Sequence, residues 1–388
     1  MAGSRIKPGL LRKMTVRKIL ECMQEHGPLS RAELTRHTGI SAPTVSKAVT
    51  DLLDSGLLEE GEAPDNALGR PGKRLQLAQD SAQVVGVVLD AQACRVIAAS
   101  LDGTINHDLT RSFSTPGSYD TLRSQLAETV QDVMATSSAS TLGIGISTPG
   151  LVDDASQKSL FSPNLQAINH QSPAIDLASD VGVTSISVQE ARALCLAERL
   201  YGRARGLDDF AMMDITTGLG LGVFSGGELL SGHLGLAGEL GHITVDPSGK
   251  LCGCGNHGCL ETLATDTALA GMISERLGQR LSITEIVRKV QLGELQAADE
   301  LNHVCEFLAI GMATAINLFN PSNLFVHGLF LTISDAVMEQ VIRMTQRRAL
   351  GPSFVDCEIQ TAHTSKDLGA IAAIVHHLTR AAGPRVAE

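Results

Sequence analysis

Three cysteines and a histidine in the second half of the chain have the types and spacing of a metal site. Cys252, Cys254 and Cys259 lie within eight residues of one another, and His242 lies ten residues before the first of them. Three thiolates and one imidazole satisfy the tetrahedral coordination of a structural zinc ion. His257, inside the same stretch, is a second candidate for the fourth ligand. Three reduced thiols without metal are the simpler alternative, but the crowding of cysteines favours zinc.

The remaining cysteines and the composition indicate the cellular compartment of the protein. Five cysteines are scattered singly, at Cys22, Cys94, Cys195, Cys305 and Cys357. The N-terminus lacks the apolar stretch of a signal peptide, and no uncharged apolar run reaches the roughly 18 residues of a membrane span. The 43% of apolar and 19% of charged residues exclude a wholly disordered chain. We therefore expect a cytoplasmic protein, without membrane insertion, whose clustered thiols bind metal rather than form disulfides.

Charge is distributed unevenly along the 388 residues. The formal net charge is −11, yet residues 1–50 carry nine Lys and Arg against three Asp and Glu. Residues 83–388 carry 19 basic residues against 32 acidic ones. A basic head on an acidic body is typical of a small DNA-binding module joined to a larger domain. On charge alone, a solvated basic arm is an equally good interpretation.

The pattern of residues 14–60 favours the DNA-binding module. Ser30 and Glu33 form a capping box at the start of a short second helix, because each side chain satisfies an orphan backbone amide. That helix ends at Gly39, and Ser41 caps a third helix. Two short helices joined by a tight glycine-containing turn predict a helix-turn-helix.

The third helix and the loop that follows it supply candidate DNA contacts. The exposed positions of its first turns are small, polar or basic, which suits a major groove: Ser41, Ala42, Thr44, Ser46 and Lys47. Two short strands at residues 57–58 and 75–77 then flank a tip rich in Pro, Gly and Asn, which predicts a wing. Its basic residues can reach phosphates or a narrow minor groove: Arg70, Lys73 and Arg74. A three-helix protein–protein adaptor with a solvated basic loop is the alternative.

From residue 83 onward, strands and helices alternate with repeated glycine turns, which predicts an α/β body. Residues 238–261 read GELGHITVDPSGKLCGCGNHGCLE, and this string resembles the signature of the ROK family, which contains sugar-responsive repressors and sugar kinases. The resemblance extends over essentially the whole chain. It implies an actin-like ATPase (ribonuclease H-like) fold in two α/β lobes with the ligand between them. It also implies a winged helix-turn-helix in front of that body, as in the repressor branch.

The same resemblance implies domain boundaries. The winged helix-turn-helix would occupy residues 1–82 and the sugar-sensing body residues 83–388. Within the body, lobe one would comprise about 83–195 together with a C-terminal helix at about 365–380. Lobe two would comprise about 196–364.

Site residues also follow from the resemblance. It favours His242 over His257 as the fourth zinc ligand. The positions that match sugar contacts of the family, together with its catalytic base position, are Asn164, Glu190, Glu239, His242 and Glu261. An imidazole bound to zinc through one nitrogen can still donate a hydrogen bond from the other. The zinc would thus fix His242 in one tautomer and hold the sugar cleft in shape.

Three departures from the family's kinases favour a sensor over an enzyme. The Asp-x-Gly-Gly-Thr phosphate loop is replaced at residues 90–94 by Asp-Ala-Gln-Ala-Cys, and the catalytic Asn-Asp-Ala-Asn is replaced at 189–192 by Gln-Glu-Ala-Arg. The adenosine-side Gly-Gly reads Gly-Leu at 328–329. Glu190 at the base position carries one methylene too many, which displaces its carboxylate. Residues 218–222 keep the appearance of a glycine-rich phosphate loop, which a β-hairpin explains equally well.

We therefore expect a DNA-binding transcriptional regulator, a repressor of carbohydrate uptake or catabolism genes, that binds no ATP and has lost phosphoryl transfer. The alternative is a ROK-type ATP-dependent sugar kinase that retains a DNA-binding domain. The expected partners are operator DNA with an inverted repeat and a sugar or sugar phosphate effector. Reading an inverted repeat requires a homodimer or a dimer of dimers. The family also suggests a sugar-transport protein as a partner.

Overall fold

The structure is a computed structural model and describes residues 8–61 and 73–381. Two compact units make up these residues. The first contains the described residues up to Gln189 and those from Ser365 onward, and the second comprises Glu190–Thr364.

The N-terminal part of the first unit is a winged helix-turn-helix. It consists of α1 (Pro8–His26), α2 (Arg31–Thr38), α3 (Ala42–Asp54) and an antiparallel pair of strands, β1 (Leu58–Gly61) and β2 (Arg74–Leu77). The capping box of Ser30 and Glu33 is present, and Gly39 ends α2 in the left-handed region at φ 67°. Both short-range predictions are thus confirmed.

The predicted cap of α3 differs in one detail. Ser41 precedes α3 in extended conformation, yet its side chain accepts no hydrogen bond from the helix backbone. Its hydroxyl instead pairs with that of Thr44 at 2.8 Å. Two hydroxyls one helical turn apart satisfy each other here, so the first turn of α3 begins without a side-chain cap.

The rest of the first unit is built on a five-stranded sheet of order β5-β4-β3-β6-β9. Its strands are β3 (Ala82–Val88), β4 (Ala93–Ala99), β5 (Ile105–Ser114), β6 (Ser140–Thr148) and β9 (Ser185–Gln189). The first three strands are antiparallel, whereas β6 and β9 continue parallel to β3. Beside the sheet lie a small hairpin and three helices, β7 (Leu151–Asp153), β8 (Lys158–Phe161), α4 (Tyr119–Thr136), α5 (Pro173–Val181) and α12 (Lys366–Ala381).

Helix α12 lies between this sheet and α1. Glycines of the sheet allow α12 to pack closely against it. A Cβ on Gly145, for example, would collide with the carbonyl oxygen of Ala370. On its other side, the Gln24 amide of α1 donates to the hydroxyl of Thr379 at 2.9 Å. The helix is consequently apolar and buried over most of its circumference.

The second unit repeats the same sheet topology, with the order β12-β11-β10-β13-β14. Its strands are β10 (Phe210–Asp214), β11 (Gly220–Ser225), β12 (Glu228–Leu229), β13 (Asn323–His327) and β14 (Glu358–Thr361). Its helices are α6 (Glu190–Tyr201), α7 (Asp266–Leu277), α8 (Ile283–Gln291), α9 (Ala298–Phe319), α10 (Asp335–Gln346) and α11 (Gly351–Val355). In both sheets three antiparallel strands are followed by two parallel ones, which confirms the predicted pair of ribonuclease H-like α/β lobes.

Helix α9 is long and apolar enough to span a membrane by length and composition. Half of its most apolar window is buried inside the protein. Residues such as Val304, Leu308 and Met312 belong to the hydrophobic core of the second unit. We therefore interpret α9 as a core helix.

Candidate metal centre, ligand site and DNA-binding surface

The candidate metal ligands lie on a loop that folds back on itself between two short 3-10 helices, Leu240–His242 and Leu260–Thr262. Backbone hydrogen bonds close it, for example from the amide of Leu260 to the carbonyl of Ile243 at 2.9 Å. Gly258 has a φ of 64°, and a Cβ there would collide with the carbonyl of Asp246. Only glycine fits this crossing, so the sequence of the loop itself brings its two ends together.

Four side chains converge inside this loop. One ligand atom from each of His242, Cys252, Cys254 and Cys259 lies within 4.8 Å of the other three. The Cys252 Sγ lies 3.7 Å from the Nδ1 of His242, and the Sγ atoms of Cys254 and Cys259 are 3.6 Å apart. In a tetrahedral zinc–thiolate site with bonds of about 2.3 Å, neighbouring ligand atoms are about 3.8 Å apart. The donor set and its spacing therefore suit a metal ion.

The alternative histidine lies elsewhere in the loop. His257 is exposed, and its Nδ1 lies 3.1 Å from the carbonyl oxygen of Gly249. It is not part of the converging group of ligand atoms among the described residues.

The thiols differ in their readiness to ionise. Burial raises the pKa of Cys252, whose thiol donates to the Glu261 carboxylate at 2.8 Å. Burial also acts on Cys254, but the amide of Asn256 and the neighbouring thiols outweigh it and lower the pKa of Cys254. Metal ligation requires thiolates, and among these thiols the surroundings of Cys254 favour the thiolate.

Three residues predicted to contact sugar hydroxyls lie close together in the second unit: Glu239, His242 and Glu261. The Nε2 of His242 lies 3.6 Å from a carboxylate oxygen of Glu239, and its Nδ1 lies 3.6 Å from one of Glu261. Burial and the nearby Glu261 raise the pKa of Glu239. Partly dehydrated carboxylates on either side of an imidazole can accept hydroxyl groups, while the ring nitrogen facing away from the thiols can donate.

The other two predicted sugar contacts are not part of that cluster. Asn164 is exposed and belongs to the first unit. Glu190 is the first residue of α6 in the second unit and is half-buried. Both residues were predicted by resemblance alone, and both stay predictions.

The altered nucleotide motifs have ordinary local structures. Asp90 caps the turn between β3 and β4, accepting from the amide of Gln92 at 3.0 Å. The glycine-rich stretch 218–222 leads into β11, where Gly222 pairs with Met212 of β10. A Cβ on Gly222 would press on Cys195 of α6, so this glycine serves sheet packing.

Sequence reasoning missed a buried carboxylate next to the third altered motif, Gly-Leu at residues 328–329. Asp266 is 2% exposed and accepts hydrogen bonds from the backbone amides of Leu329 and Phe330, both at 2.8 Å. Burial, helped by the nearby Asp214, raises the pKa of Asp266 to about 6. The only sequence signal was an acidic residue in the first turn of a helix, which is common at helix N-termini.

The candidate DNA surface is the exposed face of α3. Val45, Val49 and Leu52 are buried, and they fix the rotation of the helix. The residues predicted to read DNA are all exposed: Ser41, Ala42, Thr44, Ser46 and Lys47.

The described part of the wing holds two of the three predicted basic contacts. Lys73 is paired with Glu60, although its side chain is 73% exposed. Arg74 donates to the carbonyl of Pro28 at 3.3 Å and lies 3.9 Å from Glu33. The third residue, Arg70, lies outside the described residues.

Comparisons with known proteins assign both parts of the chain. The model of the ROK family matches residues 84–379, and a winged helix-turn-helix DNA-binding model matches residues 15–59. The xylose repressor of Bacillus subtilis is 27% identical over 385 residues, covering 95% of this chain and 96% of that repressor. The Escherichia coli regulator NagC is 26% identical over 342 residues, covering 85% of this chain and 83% of NagC.

Solved structures agree with this assignment. A ROK family transcriptional regulator, described as a homologue of the Escherichia coli MLC protein, has a TM-score of 0.82 at 23% identity, covering 95% of this chain and 97% of that one. A ROK family glucokinase from Streptomyces griseus has a TM-score of 0.68 at 24% identity, covering 75% and 98%. The chain belongs to the ROK family, and it is a member in which a winged helix-turn-helix DNA-binding domain precedes the ROK body.

Proposed function

We propose that this protein is a cytoplasmic transcriptional repressor that binds operator DNA through its N-terminal domain and a sugar effector through its ROK body. The observation that carries the proposal is the presence, in one chain, of an exposed recognition helix and a carboxylate–imidazole cluster held by a metal-binding loop. The two relatives named above are regulators, one of them a xylose repressor, which supports a sugar as the effector class.

On the DNA side, α3 has the composition of a major-groove helix, with hydroxyls and Lys47 on its exposed face. The wing would add phosphate contacts through Lys73 and Arg70, whereas Arg74 also braces the domain itself. A two-fold symmetric operator calls for a homodimer or a dimer of dimers.

Zinc is the metal that the loop suits best. His242, Cys252, Cys254 and Cys259 would hold it, and a closed tetrahedral site of this kind supplies structural stability rather than reactivity. The Nδ1 of His242 faces Cys252, which leaves the Nε2 for hydrogen bonding. The loop would thereby keep the imidazole in one tautomer and one orientation.

The sugar would be bound by Glu239 and Glu261, whose carboxylates lie on either side of the His242 imidazole, and by the Nε2 of that ring. Each carboxylate can accept two hydroxyls, and the imidazole can donate one hydrogen bond to a sugar oxygen. Glu190 and, by resemblance, Asn164 stay predicted sugar contacts. The xylose repressor suggests D-xylose as a first candidate, and an N-acetylglucosamine repressor of Escherichia coli, which is also 26% identical over 342 residues, suggests N-acetylglucosamine. D-glucose is added because a glucokinase shares the fold.

We further propose that phosphoryl transfer has been lost. The two backbone amides that follow Gly328 are engaged by the side chain of Asp266, and Asp214 adds a second carboxylate at this edge of the sheet. Anionic phosphates bind backbone amides at such strand ends, so two carboxylates there oppose nucleotide binding. The similarity to the glucokinase structure keeps a sugar kinase as the second candidate.

Two assays test these assignments. Mobility shift with the DNA upstream of the gene, with and without each of the three sugars, should show a complex that one sugar changes. ATP hydrolysis with the same sugars should stay at background. Absence of DNA binding at any sugar concentration would contradict the regulator, and sugar-dependent ADP release would establish the kinase instead. Binding to a sugar-transport protein remains a separate question for co-purification.

A further inference from the structure

Arg192 is the charged residue of the altered catalytic motif to which the proposed function gives no role. It lies in the first turn of α6 and is 4% exposed, which makes it the one buried Lys or Arg among the described residues. Removing a guanidinium from water costs several kcal/mol unless hydrogen bonds compensate for it. The hydrogen-bond partners of its guanidinium therefore indicate which part of the structure Arg192 stabilises.

Two of its hydrogen bonds join two points of one loop. The Nη1 of Arg192 donates to the carbonyl of Gly235 at 2.9 Å, and the Nη2 donates to the hydroxyl of Ser231 at 2.9 Å. The planar fork of a guanidinium is suited to bridging two acceptors in this way. Both acceptors belong to residues 230–238, which we call the glycine loop.

The glycine loop connects β12 to the metal-binding loop and is anchored at both ends to β11. The amide of Leu230 donates to Val223 at 2.8 Å, and the carbonyl of Gly238 accepts from Leu221 at 3.0 Å. Between these anchors the chain adopts left-handed conformations at Gly232, Leu234 and Gly235.

Leu234 is the strained position of this loop. It has a φ of 61° and its side chain is 45% exposed, so no burial of its side chain compensates for that conformation. A loop of this kind keeps a single conformation only when other contacts determine it. Arg192 supplies two such contacts, its hydrogen bonds to Gly235 and Ser231.

The loop leads directly into the proposed sugar contacts. Gly238 cannot carry a side chain, because a Cβ would lie on the carbonyl of Leu221, and the next residue is Glu239. A shift of the glycine loop would therefore be passed to the carboxylate of Glu239 and onward to His242. The resemblance to ROK kinases places Asn at position 192, which is too short to reach across the loop in the same way.

We propose that Arg192 is a positioning residue whose buried guanidinium clamps the glycine loop and thereby sets the place of Glu239 for the effector. This inference rests on the proposed function for its ligand, but the clamp itself is a property of the free protein. The two hydrogen bonds described above reach the glycine loop rather than the metal ligands. Arg192 acts through the loop.

The test compares Arg192→Met and Ser231→Ala with the wild type, using Arg199→Met on the same helix as the matched control. Hydrogen–deuterium exchange of the sugar-free protein reports on the clamp through peptides covering residues 230–238. Calorimetric titration with D-xylose, D-glucose and N-acetylglucosamine reports on the effector. Metal content and thermal unfolding show whether each variant keeps its zinc loop and its fold. Because Ser231→Ala removes one acceptor at a half-buried position, it keeps the test available should Arg192→Met fold poorly.

We expect faster exchange in the glycine loop for both variants, and an affinity for the bound sugar reduced at least about tenfold, since small misplacements of a contact are costly. Arg199→Met should match the wild type in both measurements. Unchanged exchange in residues 230–238 would overturn the clamp, and faster exchange with unchanged sugar affinity would overturn the positioning role. If the wild type binds none of the three sugars, the proposed effector class is wrong, while the exchange result still decides the clamp.

Discussion

At the residue scale, the candidate metal-binding loop and the proposed sugar contacts share His242. Its Nδ1 faces the thiols, and its Nε2 faces Glu239 at 3.6 Å. A change of Glu239 therefore separates sugar binding from metal binding, whereas a change of His242 affects both. Predictions about this site are sharpest when they avoid the shared residue.

Cys259→Ser should lose zinc, because a serine hydroxyl is a poor ligand and the remaining three donors leave the tetrahedron incomplete. We expect about one zinc per chain in the wild type, little in the variant, and a lower Tm for the second unit. Structural zinc is worth on the order of 10 kcal/mol in small peptides, and a smaller part of that is at stake in a larger domain. Metal analysis and thermal unfolding provide the measurement. Cys357→Ser, a buried thiol outside the cluster, should keep its zinc, and full occupancy in Cys259→Ser would refute the assignment.

Glu239→Gln should retain metal and fold but respond weakly to sugar. The amide keeps the shape of the carboxylate and loses its charge-assisted hydrogen bonds to hydroxyls, each worth about 1.5–3 kcal/mol. Sugar affinity should fall by about tenfold or more, and the operator complex should no longer change when sugar is added. Calorimetry on the free protein and a sugar titration of the operator complex measure both effects. Equal affinities in variant and wild type would make Glu239 a purely structural residue of the loop.

Asp266 gives a pH-dependent prediction. Its pKa is raised from 3.8 to about 6, so its contribution to stability is complete below about pH 3.8 and is lost as the pH rises through about 6. Asp266→Asn has no such titration. Between pH 5 and 7.5 the wild type should therefore lose about 1 kcal/mol relative to this variant, measured by urea unfolding at both pH values. Asp335→Asn changes an exposed acid that is also at the start of a helix, and because this variant keeps Asp266 it should lose stability with pH as the wild type does. A wild type that loses no stability relative to Asp266→Asn over this pH range would contradict the raised pKa.

At the scale of elements, α3 is the helix that we expect to contact the bases of the operator. Its buried stripe of Val45, Val49 and Leu52 fixes which residues face outward. The wing is less simple than its composition indicates, because Arg74 braces Glu33 and the carbonyl of Pro28. Lys73 combines a pairing with Glu60 and high exposure, and so remains available to a phosphate.

Lys47→Ala should weaken operator binding without affecting folding, because Lys47 is exposed on α3 and packs against no core residue. If it contacts a phosphate, the slope of log affinity against log salt should become shallower by about 0.9. If it contacts a base, the sequence preference should change instead. Binding titrations at several salt concentrations, with operator and mutated operator, distinguish the two. Arg343→Ala on α10 serves as the charge control, and identical behaviour of both variants would exclude Lys47 from the interface.

At the scale of the whole molecule, the last described helix, α12, lies against the first, α1. It packs against the sheet of the first unit and against α1, so the DNA-binding domain and this sheet share one helix. The amide of Gln24 and the hydroxyl of Thr379 join the two helices at 2.9 Å. A disturbance of α12 should therefore be felt in the DNA-binding domain.

Gly145→Ala tests this arrangement. The added Cβ would fall on the carbonyl of Ala370, and backbone on both sides leaves little room for relaxation. We expect a loss of about 2–3 kcal/mol in the stability of the first unit, together with weaker operator binding. Gly271→Ala, where a Cβ meets nothing within 4 Å on α7, should be neutral or slightly stabilising. Denaturant unfolding and operator titration measure both, and a Gly145→Ala variant as stable as the wild type would show that α12 tolerates displacement.

The sequence by itself determined the features whose partners lie within a few residues. The capping box of Ser30 and Glu33, the left-handed end of α2 at Gly39 and the clustered thiols all follow from short-range rules of backbone geometry and ligand spacing. The fold itself was predicted from the resemblance of one 24-residue string to the ROK signature, because the pattern of strands and helices alone is compatible with many α/β arrangements.

Only the tertiary structure decided which distant residues meet. Asp266 lies more than 60 residues before the amides it holds, and Arg192 lies 39 residues before Ser231. Neither contact leaves a mark in the local pattern, because an acid in a first helical turn and a basic residue on a helix are ordinary by themselves. The close approach of α12 to Gly145 likewise cannot be predicted from the local sequence. These contacts exist because folding buries particular polar groups together, and a buried polar group must find its partner wherever the chain passes.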